Sequence, residues 1–310
     1  MPLSVEKRDL TGLTAIVTGG NTGIGLETAR MLSEMGANVT IACRNVEKGQ
    51  GAAKDIENTT GNAPSLVTLD LASFESTKTF VETIKEKHQR IDILVNNAGY
   101  VSGHSGDDAY TIDGIETDAQ VNHLSQFYLT NHLLPLIKNA AQNKINNFVP
   151  RIVVVASDAI GAGKVNISYW KKEGKDKLPY FLARYADTKL ALCIVSKKWA
   201  EEVESDGIVV HFLHPGVVYT EIHAKPDNGA PKFVTVAIGS LFKLFGRSVS
   251  QGAMTSVHCA VSVEAEKSTG KYWKSCKIAS YTNSLLTNKE VIDQLWEDSV
   301  KILKEKGYEI

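Results

Sequence analysis

A glycine-rich turn between an apolar strand and a helix constrains this chain more than any other stretch. Residues 13–18 have the pattern of a buried strand, and the turn follows at residues 19–25 with the spacing G-x-x-x-G-x-G. Apolar residues then recur at helical spacing until Gly36, where a helix is expected to end. Glycines in such a turn let a pyrophosphate approach the backbone, and the helix N-terminus supplies N–H donors. We therefore favour a nucleotide site over a plain helix entry. The residues predicted to form it are Gly19, Asn21, Thr22, Gly23, Ile24 and Gly25.

Strand and helix patterns alternate through the rest of the chain, and they predict an α/β fold with a doubly wound, Rossmann-type parallel sheet. We expect about seven strands, the six others at residues 37–42, 65–69, 91–95, 151–156, 208–214 and 272–279. Amphipathic helices are expected at residues 75–88 and 288–310, and a long helix is expected at residues 118–139. No linker or repeat interrupts the pattern, so we expect one domain over residues 1–310, with a substrate lid at residues 221–250.

Composition disfavours several function classes. The 310 residues include 34 basic and 35 acidic side chains, and this balance gives no sign of a nucleic-acid partner. The four cysteines lie far apart without a C-x-x-C spacing, which argues against a metal site and suits a reducing, cytoplasmic compartment. No run of about 18 apolar residues is present, so no transmembrane helix is expected.

The end of the second strand bears on which dinucleotide would bind. An NAD enzyme usually carries an acidic residue there for the ribose 2′-hydroxyl, whereas this chain has Cys43, Arg44 and Asn45. A guanidinium group suits a 2′-phosphate, because it can form two parallel hydrogen bonds to it. Arg44 therefore favours NADP(H) over NAD. The alternative and simpler interpretation is that Arg44 is a solvated surface arginine with no role in binding.

Two further strand ends are predicted to border the dinucleotide. Asp70 and Leu71 follow the third strand, and Asp70 can either accept a hydrogen bond from an adenine amino group or cap the helix that begins near residue 73. Both interpretations stay open. Asn97, Ala98 and Gly99 follow the fourth strand, where small residues let a ligand lie close to the backbone.

Tyr185 and Lys189 carry the candidate chemistry. Residues four apart on a helix lie on one face, one turn from each other. A phenol has an ordinary pKa of about 10, and a nearby ammonium group is expected to lower that pKa by favouring the phenolate. The pair can then give a proton to a substrate oxygen or take one from it. The spacing often arises by chance, so its weight depends on the other motifs.

Together these motifs resemble those of the short-chain dehydrogenase/reductase superfamily, over roughly residues 10–280. The matching parts are the glycine turn, residues 96–99, Ser157, Tyr185 with Lys189, and residues 215–216. Residues 42–44, 121–124 and 268–273 also resemble the retinol dehydrogenase-like branch.

The resemblance implies catalytic roles for Asn122, Ser157, Tyr185 and Lys189. Ser157 would bond the substrate carbonyl, Tyr185 would exchange the proton, and Lys189 would hold the nicotinamide ribose. Asn122 would anchor a water that links Lys189 to solvent, although an asparagine within a helix usually faces solvent or forms a local backbone bond. The turn after the sixth strand would contact the nicotinamide through Pro215, Gly216, Val218 and Thr220.

Two stretches are expected to shape the substrate site. Ser157 and Tyr185 are separated by 27 residues, about twice the spacing in compact members of the superfamily, and part of this basic and aromatic insertion is expected to border the substrate mouth. The apolar stretch 233–245 can form one face of a helix. That face fits a lid packed on the core, a wall for a long lipid or retinoid, or a surface helix that touches membrane.

These features predict an NADP(H)-dependent oxidoreductase that interconverts a hydrophobic alcohol and its aldehyde or ketone. Retinaldehyde, other aldehydes, ketosteroids, sterols and quinones all stay open as substrates. One alternative is a catalytically silent NADP(H)-binding regulator or scaffold, which would not need the complete set of four catalytic residues. Another is an S-adenosylmethionine methyltransferase, which has no use for the Tyr–Lys pair. The resemblance also implies a homodimer that pairs through its long helices.

Overall fold

Eight strands form the centre of the computed structural model, which describes residues 3–172, 178–218 and 247–310. The strands are β1 (Thr14–Thr18), β2 (Asn38–Cys43), β3 (Ser65–Thr68), β4 (Ile93–Asn96), β5 (Arg151–Val155), β6 (Val209–His214), β7 (Lys271–Lys274) and β8 (Lys277–Ala279). They lie in the order β3-β2-β1-β4-β5-β6-β7-β8. All neighbours are parallel except β7 and β8.

The strand order reverses between β1 and β4. The chain moves outward from β1 to β3, returns to the other side of β1 with β4, and then moves outward again. The carboxyl ends of β1 and β4 therefore open a crevice, which is where open α/β sheets bind ligands. This topology confirms the predicted doubly wound, Rossmann-type fold.

Helices cover both faces of the sheet. One face carries α1 (Gly23–Glu34), α2 (Val46–Thr60) and α6 (Val249–Val261). The other carries α3 (Phe74–Lys87), α4 (Ser125–Gln142), α5 (Phe181–Val203) and α7 (Lys289–Glu305). Single turns of 3₁₀ helix lie at Gly106–Ala109, Asp158–Ala162, Glu204–Asp206, Ala265–Lys267 and Ser284–Thr287.

Successive strand residues pack into opposite layers. In β1, Ile16 belongs to the core under α3 and α4, whereas Ala15 and Val17 belong to the core under α1 and α2. All three side chains are fully buried. Because both faces of a parallel sheet are covered, its strands are continuous apolar runs, and this is why they could be predicted.

The segment predicted as one strand, 272–279, is two strands. Ser275 and Cys276 have φ values of 54° and 58°, which turn the chain back after β7 and pair β8 antiparallel with it. A two-residue hairpin turn of this type needs positive φ at both positions. Neither residue is the glycine or asparagine that usually announces such a turn.

Two helices were missed at the sequence level, although both carry readable ends. Asn45 caps α2 by accepting from the Lys48 N–H at 2.8 Å, and Gly61 ends that helix in the left-handed conformation. Ser248 and Gln251 form a reciprocal capping box at the start of α6. Residues 249 and 250, predicted as lid, therefore belong to α6. The predicted lid residues 221–246 lie outside the described residues.

The long helix predicted at residues 118–139 is interrupted near its start. A single turn, Thr117–Ala119, continues into a π-helical turn, Gln120–Leu124, before α4 begins. Such π turns inside helices frequently occur at functional sites. Here the turn carries Asn122.

Part of the insertion between Ser157 and Tyr185 packs into the core instead of bordering the mouth. Tyr169 and Trp170 are fully buried. The Tyr169 hydroxyl donates to Asp187 at 3.1 Å, and the Lys164 N–H donates to the same carboxylate at 2.7 Å. Asp187 lies on α5, so it fastens this part of the insertion to the catalytic helix. Residues 173–177 lie outside the described residues.

The C-terminal helix α7, predicted at residues 288–310, lies on the long helices α4 and α5. The Trp296 ring meets the Phe127 ring edge-on at 4.7 Å and lies 6.4 Å from the ring of Trp199. Beside them, His123 and Ser299 form a buried hydrogen bond of 2.8 Å. Within the described ranges, no helix combines the length and the apolarity that crossing a membrane requires.

Candidate active site

The crevice between β1 and β4 is closed at its base by hydrogen bonds between the two strand ends. The Thr18 hydroxyl accepts from the N–H groups of Asn97 and Ala98, both at 3.0 Å. The Asn97 amide donates back to the Thr18 carbonyl at 2.8 Å. The glycine turn and residues 97–99 therefore line one cleft, as predicted from the strand ends.

The N-terminus of α1 opens into this cleft without a side-chain cap. Thr22 occupies the cap position but forms no cap hydrogen bond with the described residues, and the first turn carries no acidic residue. By contrast, Asn45, Ser73, Ser248 and Asn288 cap the starts of α2, α3, α6 and α7. The first N–H groups of α1 are thus available to an anionic group, which fits a pyrophosphate.

One half of the cleft, about 490 Å³, lies at the carboxyl ends of β2 and β3. Its lining includes eight predicted residues of the glycine turn and strand ends, which are Gly19, Asn21, Thr22, Arg44, Asp70, Leu71, Ala98 and Gly99. Asp70 was predicted either to bond an adenine amino group or to cap the next helix. Ser73, not Asp70, caps α3, and Asp70 instead accepts from the Ala72 N–H at 3.0 Å. Asp70 thus remains available to a ligand in the cleft.

The other half of the cleft, about 230 Å³, contains the Tyr–Lys pair. Gly23, Ile24, Gly25, Tyr185 and Lys189 line it together. The sequence places the glycine turn and this pair about 160 residues apart, and the parallel sheet brings them to one edge.

The Tyr185 phenol is half-buried and hydrogen-bonded to the hydroxyl of Ser157. Burial raises the pKa of Tyr185 to about 12, against a smaller lowering by the Ser157 hydrogen bond. The expected lowering by Lys189 is therefore wrong for the protein's own groups. The reason is that removal from water disfavours phenolate more than the neighbouring groups favour it.

Lys189 is buried, and its ammonium group points past Gly99. Lys189 Nζ donates to the carbonyl oxygen of Val155 at 2.9 Å. A β-carbon at Gly99 would lie 2.9 Å from Nζ and 3.4 Å from the Asn122 Oδ1 atom. Burial lowers the pKa of Lys189 to about 8, so the amine sits near its charge transition at physiological pH.

Asn122 is fully buried and fixes the chain just after the fourth strand. Its Oδ1 atom accepts from the Tyr100 N–H at 2.7 Å, and its Nδ2 atom donates to the Tyr100 carbonyl at 2.8 Å. Nδ2 also lies 3.2 Å from the hydroxyl of Thr188, which neighbours Lys189. A solvent-facing asparagine is thereby excluded, because the side chain joins the strand end to the catalytic helix.

The turn after β6 lies beside the glycine loop. Pro215 and Gly216 follow β6 directly, and Gly216 has a φ of 91°. Val218 is buried, and a β-carbon at Gly252 would touch both Val218 and Ile24, which brings the turn to the start of α1. Thr220 lies outside the described residues.

Several residues that border the site were not predicted. Asn45 and Lys48 line the cleft beside Arg44. Both lie at the capped start of α2, which is the sequence signal that could have identified them. The other lining residues of this half that were not predicted are Ala42, Cys43, Leu69, Ala72, Tyr100, His104, Asp108, Thr117 and Val121. No sequence motif announces these residues, because they come from several separate segments that meet at the cleft only in the folded molecule.

Two buried acids next to Tyr185 were also missed. Glu116 pairs with Arg184 at 3.0 Å, and Arg184 directly precedes Tyr185. Asp118 accepts from the Ser102 N–H at 2.7 Å, and burial raises its pKa well above the usual range. Arg184 thereby joins the start of α5 to the loop after β4, which limits how far Tyr185 can move.

A comparison with known families identifies this arrangement. The family model described as short chain dehydrogenase matches residues 13–230. Retinol dehydrogenase 12 of Mus musculus is 36% identical over 295 residues, which cover 95% of this chain and 87% of that protein. The chain therefore belongs to the short-chain dehydrogenase family, in its retinol dehydrogenase-like branch.

Solved structures agree with the fold. A protein of uncharacterised function from Mycobacterium paratuberculosis aligns with a TM-score of 0.73 and 21% identity, over 97% of this chain and 98% of that one. RhlG of Pseudomonas aeruginosa, solved as a complex with NADP, aligns with a TM-score of 0.65 and 26% identity, over 86% and 95% of the two chains. Family and fold together make this chain an oxidoreductase with a nicotinamide cofactor that acts on alcohols or carbonyls.

The close approach of Lys189 to Gly99 gives a first prediction. Gly99→Ala would put a methyl group 2.9 Å from Nζ, and overpacking of this kind costs about 1–3 kcal/mol. We expect the affinity for NADPH and NADH, measured by fluorescence titration, to fall about tenfold, because the amine must move.

Gly51→Ala is the matched control. Gly51 lies within α2, and a β-carbon added there would have no neighbouring atom within 4 Å, so the change should leave cofactor affinity unaltered. It should also stabilise the fold by about 0.5–1 kcal/mol in urea denaturation, since alanine favours helix more than glycine does. Unchanged affinity in Gly99→Ala would contradict the proposed proximity of amine and cofactor.

Proposed function

We propose that this protein is an NADP(H)-dependent reductase and dehydrogenase of lipophilic carbonyls and alcohols, with Tyr185 as the acid and base. The observation that carries the proposal is the convergence of Ser157, Tyr185 and Lys189 at one end of the cleft with the uncapped start of α1 at its middle. The nicotinamide of the bound cofactor would supply or accept the hydride.

In the reductive direction the residues would act in fixed roles. The Ser157 hydroxyl would donate a hydrogen bond to the substrate carbonyl oxygen, and Tyr185 would give that oxygen its proton. A phenol whose pKa is raised to about 12 is protonated throughout the physiological range, which suits this donor role. Lys189 would bind the cofactor ribose, and Asn122 would keep the chain after β4 in place beneath it.

Support for NADP(H) comes from charge at the adenosine end of the cleft. Arg44 and Lys48 both line that end, together with Asn45. Two basic side chains suit a 2′-phosphate, and no acidic residue follows β2 directly to bind a 2′-hydroxyl. RhlG, whose structure contains NADP, shares this fold.

Support for a lipophilic substrate comes from the surface around Tyr185. Leu182 lies one turn before Tyr185 on α5 and is 52% exposed. An exposed apolar side chain one turn from a catalytic group favours a substrate that covers it. The curated relatives named retinol dehydrogenase suggest a retinoid or a similar aldehyde.

Pairing of copies through the long helices is disfavoured. The C-terminal helix α7 lies on that face, where Phe127 and Trp199 are fully buried beneath it. We infer that a homodimer, if formed, uses another face, because a second copy would have to displace α7.

We further propose one catalytic domain, since strands from residue 14 to residue 279 join one sheet. A cytoplasmic location stays a prediction.

The alternative is an NADP(H)-binding regulator without turnover. A regulator has no need to keep Ser157 and Tyr185 in hydrogen-bond contact or to bury an amine beside them. An S-adenosylmethionine methyltransferase has no need of either feature. We therefore favour the enzyme.

Tyr185→Phe tests the function directly. We expect kcat for NADPH-dependent reduction, screened over retinaldehyde and medium-chain aldehydes, to fall by about 10²–10⁴-fold, because the proton donor is removed. NADPH affinity should stay nearly unchanged. Tyr308→Phe, near the C-terminal end of the chain and outside the lining of the cleft, is the matched control and should keep full activity. An unchanged kcat in Tyr185→Phe would end the assignment.

Arg44→Asp tests the cofactor. The wild type should prefer NADPH to NADH in kcat/KM, and the variant should lose that preference by about tenfold to a hundredfold, because a charge-assisted bond becomes a repulsion. Lys54→Asp makes the same change of charge at an exposed position of α2 that does not line the cleft, and should leave the ratio unaltered. A wild type that prefers NADH contradicts the proposal.

The pKa of Lys189 predicts the pH dependence of reduction. Its folded pKa is lowered to about 8 by burial, so the amine is charged below that pH and neutral above it. Tyr185 stays protonated as a donor across this range. We therefore expect kcat/KM for reduction to be level near neutrality and to fall above pH 8, with NADPH affinity falling in parallel. A profile that stays level to about pH 10 would count against a charged Lys189 at the cofactor.

A further inference from the structure

The residue that follows Ser157 is held by side chains from the next two strands of the sheet. Asp158 opens a 3₁₀ turn, and its Oδ1 atom accepts from the Tyr272 hydroxyl at 2.8 Å. The Lys274 ammonium group donates to its Oδ2 atom. His214 contacts Asp158 twice, because Nδ1 accepts from the Asp158 N–H at 3.1 Å and Nε2 lies 3.4 Å from Oδ2.

These contacts fix the protonation of His214. A backbone N–H can only donate, so Nδ1 is the unprotonated nitrogen and the ring proton lies on Nε2, facing the carboxylate. Burial lowers the pKa of His214 to about 4, so the ring is neutral at physiological pH. Burial raises the pKa of Asp158, but hydrogen bonds from Lys274 and Tyr272 outweigh it and bring the pKa below its usual value.

The contacts to the Asp158 side chain are more numerous than the end of β5 needs for its own stability. An exposed aspartate usually forms one weak ion pair, whereas this carboxylate, 40% exposed, faces three donors from β6 and β7. The cap of the 3₁₀ turn is formed by Ser157, whose Oγ accepts from the Ala159 N–H at 3.2 Å, so Asp158 is not needed for that purpose.

The consequence falls on Ser157. The His214 ring binds the backbone N–H of the peptide bond between Ser157 and Asp158, while Tyr272 and Lys274 hold the side chain beyond it. The direction in which Ser157 projects its hydroxyl toward Tyr185 is therefore set from β6 and β7. Hydrogen-bond geometry at a reacting oxygen is sensitive to shifts of this kind.

We infer that Asp158 is a positioning residue that, through His214, Tyr272 and Lys274, holds the Ser157 hydroxyl in the geometry needed for turnover. This inference rests on the proposed role of Ser157 in carbonyl reduction. Asp158 itself need not touch substrate or cofactor.

A double-mutant cycle tests the inference. Ser157→Ala, Asp158→Ala and the double variant are compared with the wild type, using NADPH and the aldehyde of the panel that is turned over fastest. We expect Ser157→Ala to lower kcat by about 10²–10³-fold and Asp158→Ala by about tenfold to a hundredfold. The double variant should match Ser157→Ala alone, because Asp158 acts only through that hydroxyl.

Other outcomes separate this inference from the proposed function. If Ser157→Ala leaves kcat unchanged, the proposed role of the serine fails, and the inference fails with it. If Ser157→Ala lowers kcat but Asp158→Ala does not, only the positioning role is overturned. Equal effects of Asp158→Ala in the wild-type and Ser157→Ala backgrounds would also overturn it, since they indicate an action independent of the hydroxyl.

Milder variants guard against loss of the fold. Tyr272→Phe and Lys274→Met each remove one donor to Asp158, and both should lower kcat by a smaller factor while NADPH affinity stays unchanged. Lys277→Met, at an exposed position of the neighbouring strand β8, is the control and should keep the wild-type kcat. If Tyr272→Phe and Lys274→Met both keep the wild-type kcat, the contacts do not position Ser157.

Discussion

The hydrogen bond from Lys189 Nζ to the carbonyl of Val155 sets the geometry of the whole site. It ties α5 to the end of β5 in a buried setting, and the amine passes 2.9 Å from where a β-carbon would stand at Gly99. Val155 precedes Ser157 by two residues, and Lys189 follows Tyr185 by one helical turn. One bond therefore fixes the spacing between the strand that carries the serine and the helix that carries the tyrosine.

Burial has opposite effects on the two titratable groups of this pair. It raises the pKa of Tyr185 to about 12 and lowers the pKa of Lys189 to about 8, because both shifts favour the neutral form. The protein's own groups thus keep the phenol as a proton donor and leave the amine close to losing its charge. Spacing along a helix predicts that the two groups are close, but it does not reveal the cost of taking both of them out of water.

Around this pair the chain uses polar side chains to fix backbone segments. Asn122 forms hydrogen bonds with both the N–H and the carbonyl of Tyr100. Asp187 fastens the insertion to α5, and Arg184 joins α5 to the loop after β4. Each of these residues lies within four positions of a proposed catalytic residue or is one itself. Precise placement on rigid elements is what lets a hydroxyl and a phenol act on one oxygen.

Local sequence patterns were enough to predict the parallel strands, the glycine turn and part of the lining of the cleft at their carboxyl ends. Continuous apolar strands and turn glycines are signals within single segments, and parallel connections leave few arrangements of the strand ends. The remaining features became visible only in the folded molecule. The burial of Tyr169 and Trp170, the hairpin turn at Ser275 and Cys276, and the direction of the pKa shift of Tyr185 all depend on partners distant in the chain. Desolvation and long-range hydrogen bonds are properties of the packed molecule, so no pattern within one segment can specify them.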